Sequence, residues 1–182
     1  MGWIAGIPYH LATGKLKSIY DRIAGNTSKI DNVLTIHGLR PHTLEGHVSL
    51  YKNVLHHSGN TVAPWFLESI GTYVSLLNGC AYCVAHHSQG IKRHIDNAER
   101  YAEIMKAIRT QSLELAFNEK EVAAFYYAKK LTQQPAHMEP SDISTLKKLG
   151  WEEGEILEIN QVTGYFNYAN RTVLGLGVSL EE

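Results

Sequence analysis

Apolar side chains recur at helical spacing along almost the whole chain, and this periodicity is the strongest constraint on its fold. In residues 14–24 they lie three or four positions apart on one helical face: Leu16, Ile19, Tyr20 and Ile23. Similar patterns occupy 41–57, 64–77, 80–94, 99–108, 118–131, 141–150 and 152–175. Alternating apolar and polar runs long enough for strands are hard to find. The sequence therefore predicts an all-α fold.

Length and composition indicate one folded unit. The chain has 182 residues, of which 44% are hydrophobic, enough to bury a core as a single domain. We expect one domain over 1–182, with a cysteine-containing half at about 41–97 and a cysteine-free half at about 118–178.

The charge balance disfavours two classes of partner. Lys and Arg number 17 against 18 Asp and Glu, so no strong field attracts nucleic acid or an anionic membrane. No segment has the length and apolar character of a membrane span, and no targeting segment is evident at the N-terminus. A single close cysteine pair in an otherwise cysteine-free chain is typical of a reducing compartment. We therefore expect a soluble, cytoplasmic protein with no nucleic-acid or membrane partner.

The two cysteines, Cys80 and Cys83, are followed by His87 at helical spacing. A thiolate is the reactive form of cysteine, and a histidine one helical turn away can take the thiol proton. This spacing favours Cys83 as nucleophile, His87 as its base and Cys80 as the thiol that closes a disulfide. Two alternatives remain open: the thiols are ligands of a structural zinc, or small buried side chains without chemistry.

Three further residues are candidates by their position near this pair. Glu68 lies in an apolar stretch, and a helical hairpin turning at Asn78 and Gly79 would let it orient His87, although a solvated position in a helical first turn explains it equally well. Trp65 and Phe66 would then wall an apolar substrate channel.

Histidines are unusually frequent, but their spacing argues against a metal site. The first three of a crowded set lie five positions apart, whereas a helical chelate needs spacings of three or four: His37, His42, His47, His56 and His57. We expect no bound metal there.

The pattern Glu68-x11-Cys80-x2-Cys83-x3-His87, with Asn78-Gly79 before the first cysteine, resembles the active-site signature of the AhpD-like alkylhydroperoxidases. These belong to the carboxymuconolactone decarboxylase superfamily. The segment 166–171 resembles the longer branch called peroxidase-related enzymes.

This resemblance implies an AhpD-like multi-helical bundle with a CxxC helix, which assembles as dimers, trimers or trimers of dimers. It also implies an antioxidant peroxidase without cofactor or metal, in which Cys83 attacks a hydroperoxide and Glu68 and His87 relay protons. Tyr82, a candidate substrate contact, replaces a histidine of the well-studied branch, so the lipoyl-bearing reductant of that branch does not carry over. The reductant expected is an unidentified thiol or dithiol.

Two other functions remain open on the sequence alone. A disulfide reductase or thiol adaptor would act on a protein partner with the same cysteines, but a thioredoxin-like motif follows a strand, and here the motif follows a predicted helix. A non-enzymatic helical oligomer would instead bind zinc or sense oxidants through the pair.

Overall fold

The structure, a computed structural model, describes residues 2–25 and 27–181, and within them it is built of α-helices without any strand. Nine α-helices follow one another in these residues: α1 Gly14–Ala24, α2 Asn32–His37, α3 Pro41–His56, α4 Pro64–Leu77, α5 Ala81–His94, α6 Ala98–Thr110, α7 Glu119–Gln133, α8 Pro140–Lys148 and α9 Glu153–Gly175. The all-α prediction is confirmed. Helix α2 is not predicted by periodicity, because it has six residues and buries only Ile36.

The chain divides into two compact units, Met1–Lys52 with Arg171–Glu182, and Asn53–Asn170. In the first unit, α1 packs its predicted face into an apolar cluster that includes Leu16, Ile19 and Leu44. The expectation of a single domain over 1–182 stays a prediction.

The crowded histidines of the first unit include a stacked pair, of which His47 is buried. The rings of His37 and His47 lie 4.4 Å apart between centroids, and burial lowers the pKa of His47 to about 4. Burial also lowers the pKa of His37. Both imidazoles are therefore expected to be neutral at neutral pH. Among the described residues, no group of three or more His, Cys, Asp or Glu side chains is arranged to hold a metal ion.

Helix α4 is the central helix of the second unit. Every residue from 66 to 75 is buried, and α4 contacts α5, α6 and α7. A helix that is enclosed on all sides is expected to be apolar around most of its circumference. It is too short to cross a bilayer, and no other helix in the described part of the chain is long and apolar enough to do so. The enclosure places Glu68, an α4 residue, inside the protein.

Candidate active site

The turn between α4 and α5 sets the position of the first thiol. The Cys80 N–H donates to the Ser75 carbonyl at 2.8 Å, and the Gly79 N–H donates to the Leu76 carbonyl at 3.1 Å. These two bonds form a Schellman motif, which needs a left-handed residue that glycine supplies without strain; Gly79 has φ +70°. Cys80 is the N-cap of α5. Its thiol therefore lies at the positive end of the α5 dipole.

The two cysteines are in direct contact. Their Sγ atoms lie 2.9 Å apart, and both are buried and free. A disulfide bond would be about 2.05 Å long, so the two sulfurs share a hydrogen bond in the dithiol state. The structure thus brings Cys80 and Cys83 within reach of each other, as a redox pair requires.

The hydrogen bond between the thiols makes them unequal. The Cys83 thiol, donating to Cys80, lowers the pKa of Cys80 to about 7, and the backbone N–H groups of Cys83 and Tyr82 add to this effect against the opposing effect of burial. The same bond, together with burial, raises the pKa of Cys83 above its ordinary value. When the dithiol loses a proton, the negative charge is therefore expected on Cys80, whereas the spacing to His87 alone favours Cys83.

A buried amide on α9 holds the turn and the thiols together. Asn170 is fully buried; its Nδ2 donates to Ser75 Oγ at 3.0 Å, and its Oδ1 accepts from Asn78 Nδ2 at 2.9 Å. Its side chain also lowers the pKa of both cysteines by hydrogen bonding. Asn170 therefore fixes the α4–α5 turn and stabilises negative charge on the dithiol.

A carboxylate and an imidazole form a second pair in the same unit. Glu68 Oε2 lies 2.7 Å from His87 Nδ1, and Glu68 is completely buried. The His87 ring packs edge-on against Phe166, with centroids 4.5 Å apart. A carboxylate bonded to one ring nitrogen fixes the tautomer and orientation of the imidazole. The α4–α5 hairpin thus brings Glu68 against His87, as the turn at Asn78 and Gly79 predicts.

Two glycines make room for this pair. A Cβ at Gly90 on α5 would overlap the Glu68 carboxyl group, and a Cβ at Gly71 on α4 would overlap the Phe166 ring that supports His87. Helix interiors disfavour glycine, so its presence at both positions reflects close approach rather than helix formation. The carboxylate of Glu68 occupies space that any other residue at position 90 would fill.

Gly90→Ala is expected to slow oxidation of the dithiol by hydrogen peroxide about a hundredfold, because displacing an aligned group by an ångström has effects of that size. The rate is measured as loss of free thiol under excess peroxide. Gly164→Ala is the matched control, since a Cβ there meets no atom within 4 Å. Equal rates in the two variants would show that the position of Glu68 does not matter.

The predicted substrate-contact residues lie in different surroundings. Phe66 is buried in an aromatic cluster. Its ring centroid lies 5.8 Å from that of Trp151 and 5.3 Å from that of Phe125. Trp65 packs its ring edge against Phe66 at 5.6 Å. Tyr82 is buried, with its ring 4.4 Å from that of His86. Their role as substrate contacts stays a prediction.

Three residues near the site are not identified by sequence reasoning: His56, Gly90 and Asn170. His56, the last residue of α3, has its Nε2 3.8 Å from Glu68 Oε1. Each belongs to the site through tertiary packing, which motif spacing does not report. The sequence does contain a signal for two of them. Gly90 is a glycine inside a helix, and Asn170 is a polar residue on the apolar face of α9, and both are unusual at such positions.

No protein-family model and no curated protein sequence matches the chain. Solved structures do match its fold. An uncharacterized peroxidase-related protein of Ralstonia eutropha JMP134, described as an alkylhydroperoxidase AhpD core, aligns with a TM-score of 0.85 and 15% identity, covering 100% of this chain and 93% of that one. A peroxidase-related protein of Silicibacter sp. TM1040 aligns with a TM-score of 0.78 and 18% identity, covering 98% and 88%.

A third structural neighbour has an enzymatic activity in its description. It is the debrominase Bmp8 in complex with 2,3,4-tribromopyrrole, with a TM-score of 0.73 and 21% identity, covering 92% of this chain and 86% of that one. At these identities the likeness concerns the fold, and the fold alone does not choose a substrate. The chain has the all-helical AhpD-like fold.

Proposed function

We propose that this protein is a thiol peroxidase that reduces hydroperoxides through the Cys80–Cys83 pair. One observation carries the proposal: two free thiols share a 2.9 Å hydrogen bond, which lowers the pKa of Cys80 to about 7. A cysteine that serves only packing has no such partner. The Glu68–His87 pair, in which the carboxylate is buried, supplies the proton-transfer groups that peroxide reduction needs.

The first step is the attack of Cys83 on the peroxide. Because the negative charge of the dithiol is expected on Cys80, we assign Cys80 as the base that takes the Cys83 proton along their hydrogen bond. The Cys83 thiolate then attacks the terminal oxygen of ROOH, the O–O bond breaks and Cys83 becomes a sulfenic acid. The leaving RO⁻ takes a proton from the Glu68–His87 pair to become ROH.

The second step forms the disulfide. Cys80 attacks the sulfenic sulfur of Cys83, the S–S bond forms, and the hydroxyl leaves with the Cys80 proton as water. An external thiol or dithiol then returns two electrons and two protons and regenerates both thiols. The cycle needs no cofactor and no metal. The Glu68–His87 pair stores and returns protons while the charge of the dithiol changes.

The same dithiol chemistry is compatible with other electron acceptors. A debrominase shares this fold, a protein disulfide would be attacked by the same thiolate, and a zinc-binding or oxidant-sensing oligomer would use the pair without turnover. We favour the hydroperoxide because both thiols are buried, which excludes a folded protein partner more readily than a small molecule. A homo-oligomer, cytoplasmic location and an unidentified thiol reductant are parts of the same proposal.

The proposal is tested by comparing acceptors under one reductant. With excess dithiothreitol, we expect catalytic consumption of hydrogen peroxide or an organic hydroperoxide, and slower consumption of an oxidised protein disulfide and of 2,3,4-tribromopyrrole. Metal analysis of the reduced protein accompanies the rates. Faster turnover of either competing acceptor, or stoichiometric zinc at the cysteine pair, would contradict a peroxidase.

A further inference from the structure

Glu68 has histidines on both of its carboxylate oxygens. Oε2 is bonded to His87 Nδ1 at 2.7 Å, and Oε1 lies 3.8 Å from His56 Nε2. The two histidines come from different helices, His56 from the end of α3 and His87 from α5. A buried carboxylate thus links two imidazoles that are far apart in sequence.

The three side chains differ in their exposure to solvent. The Glu68 side chain is 1% exposed, while that of His87 is 15% exposed and that of His56 is 31% exposed. Of the three, His56 therefore has the best access to water. A group that exchanges protons with solvent needs such access, while a group that transfers protons inside the site needs to be enclosed.

Within the described residues, the second carboxylate oxygen of Glu68, Oε1, lacks the hydrogen bond that buried carboxylate oxygens usually accept. Oε1 is buried and accepts no hydrogen bond from any residue that the structure describes. Unsatisfied buried acceptors are rare, and a catalytic role is one of the explanations for them. The group closest to supplying a proton is His56, at ion-pair distance but beyond a hydrogen bond. Catalytic hydrogen bonds are often long before substrate binds and shorten in the reacting complex.

We propose that His56 is a positioning residue of the same site, which exchanges protons between solvent and Glu68. This inference rests on the proposed peroxidase function and extends its proton relay by one group. His56 acts through Glu68 and His87 and does not contact the reacting sulfur or oxygen atoms.

A proton that the dithiol loses passes to water through His87, Glu68 and His56. His87 takes the proton from the thiol and passes its Nδ1 proton to Glu68 Oε2, which leaves His87 neutral. The protonated Glu68 carboxyl group then turns so that its O–H faces His56, passes the proton to His56 Nε2 and returns to the carboxylate form. His56 releases the proton to water, and the same path in reverse supplies the proton that the leaving alkoxide needs.

The charges around His56 suit a group that releases its proton readily. Burial is the main cause of its lowered pKa; the negative charge of Glu68 opposes this, and His87, His94 and Arg93 act in the same direction as burial. Among these groups, Glu68 stabilises the protonated ring and the three cationic or titratable side chains destabilise it.

The test compares His56→Gln with His57→Gln under steady-state turnover of hydrogen peroxide. Glutamine keeps a hydrogen-bonding side chain but does not titrate. His57 is the matched control, because it is the neighbouring exposed histidine and its Nδ1 bonds to the Gly59 backbone instead of to Glu68. We expect His56→Gln to lower kcat about tenfold with KM unchanged, less than direct general acid–base catalysis supplies, since His56 acts through Glu68.

The diagnostic readout is the dependence of kcat on buffer concentration. Imidazole in the buffer can replace the missing proton carrier, so kcat of His56→Gln is expected to rise with imidazole concentration at constant pH and ionic strength. Wild type and His57→Gln are expected to show no such rise. A structural role for His56 would lower the rate without buffer dependence and would overturn the inference.

Two outcomes separate the inference from the function on which it rests. If wild type turns over peroxide and His56→Gln does so at the same rate in every buffer, the role of His56 is wrong and the peroxidase stands. If wild type consumes no peroxide while remaining folded, the proposed function fails, and the relay fails with it.

Discussion

Cys83→Ser is expected to abolish peroxide turnover, while Cys80→Ser is expected to stop after one equivalent. The first substitution removes the attacking sulfur. The second leaves Cys83 without the partner that condenses with its sulfenic acid, so the oxidised form accumulates. Cys80→Ser should also react more slowly in its single turnover, because the thiolate that accepts the Cys83 proton at 2.9 Å is gone. A sulfenic-acid probe and mass spectrometry identify the oxidised residue.

Serine differs from cysteine by one atom, so both variants should stay folded, and thermal unfolding checks this. The lowered pKa of Cys80 also supports the alternative in which Cys80 is the nucleophile and Cys83 the resolving thiol. If Cys83→Ser yields a sulfenic acid on Cys80 and Cys80→Ser is inert, the first cysteine is the nucleophile and the proposed order of attack is wrong.

Glu68→Gln is expected to lower kcat for peroxide by about a hundredfold to a thousandfold, in the range that general acid–base groups contribute. Glutamine keeps the shape of the side chain and a hydrogen bond to His87, but it cannot hold or pass a proton. The free energy of unfolding is expected to stay the same or increase, because the substitution removes a charge from a fully buried position. Loss of activity without loss of stability is the signature of this prediction.

The matched control is Glu103→Gln. Glu103 is exposed on α6, and its contact is a surface ion pair with Arg100 at 3.2 Å, which contributes little to stability. This variant should retain wild-type turnover. A Glu68→Gln protein that is equally active, or one that is inactive only because it is unfolded, would remove Glu68 from the relay.

Much of the fold could be predicted because its helices have strong local signals. Apolar periodicity locates α1 at Gly14–Ala24 and α4 at Pro64–Leu77. The short α2 has no such signal. Within the site, Cys80, Cys83, Glu68 and His87 come from one hairpin, so spacing alone suggests that they meet.

The remaining features of the site depend on interactions that spacing does not encode. His56 and Asn170 reach the site from α3 and α9, elements far away in the sequence. The location of the negative charge is a second example. The sequence spacing reports only that Cys83 and His87 lie one helical turn apart. Two interactions favour charge on Cys80: the hydrogen bond from the Cys83 thiol, and the backbone N–H groups at the start of α5.

The most direct measurement adds one equivalent of hydrogen peroxide to the fully reduced protein and determines the mass of the tryptic peptide 53–92, which contains both cysteines. The account predicts the loss of two hydrogen atoms through a Cys80–Cys83 disulfide, fully reversed by dithiothreitol. A peptide of unchanged mass beside unconsumed peroxide would contradict it.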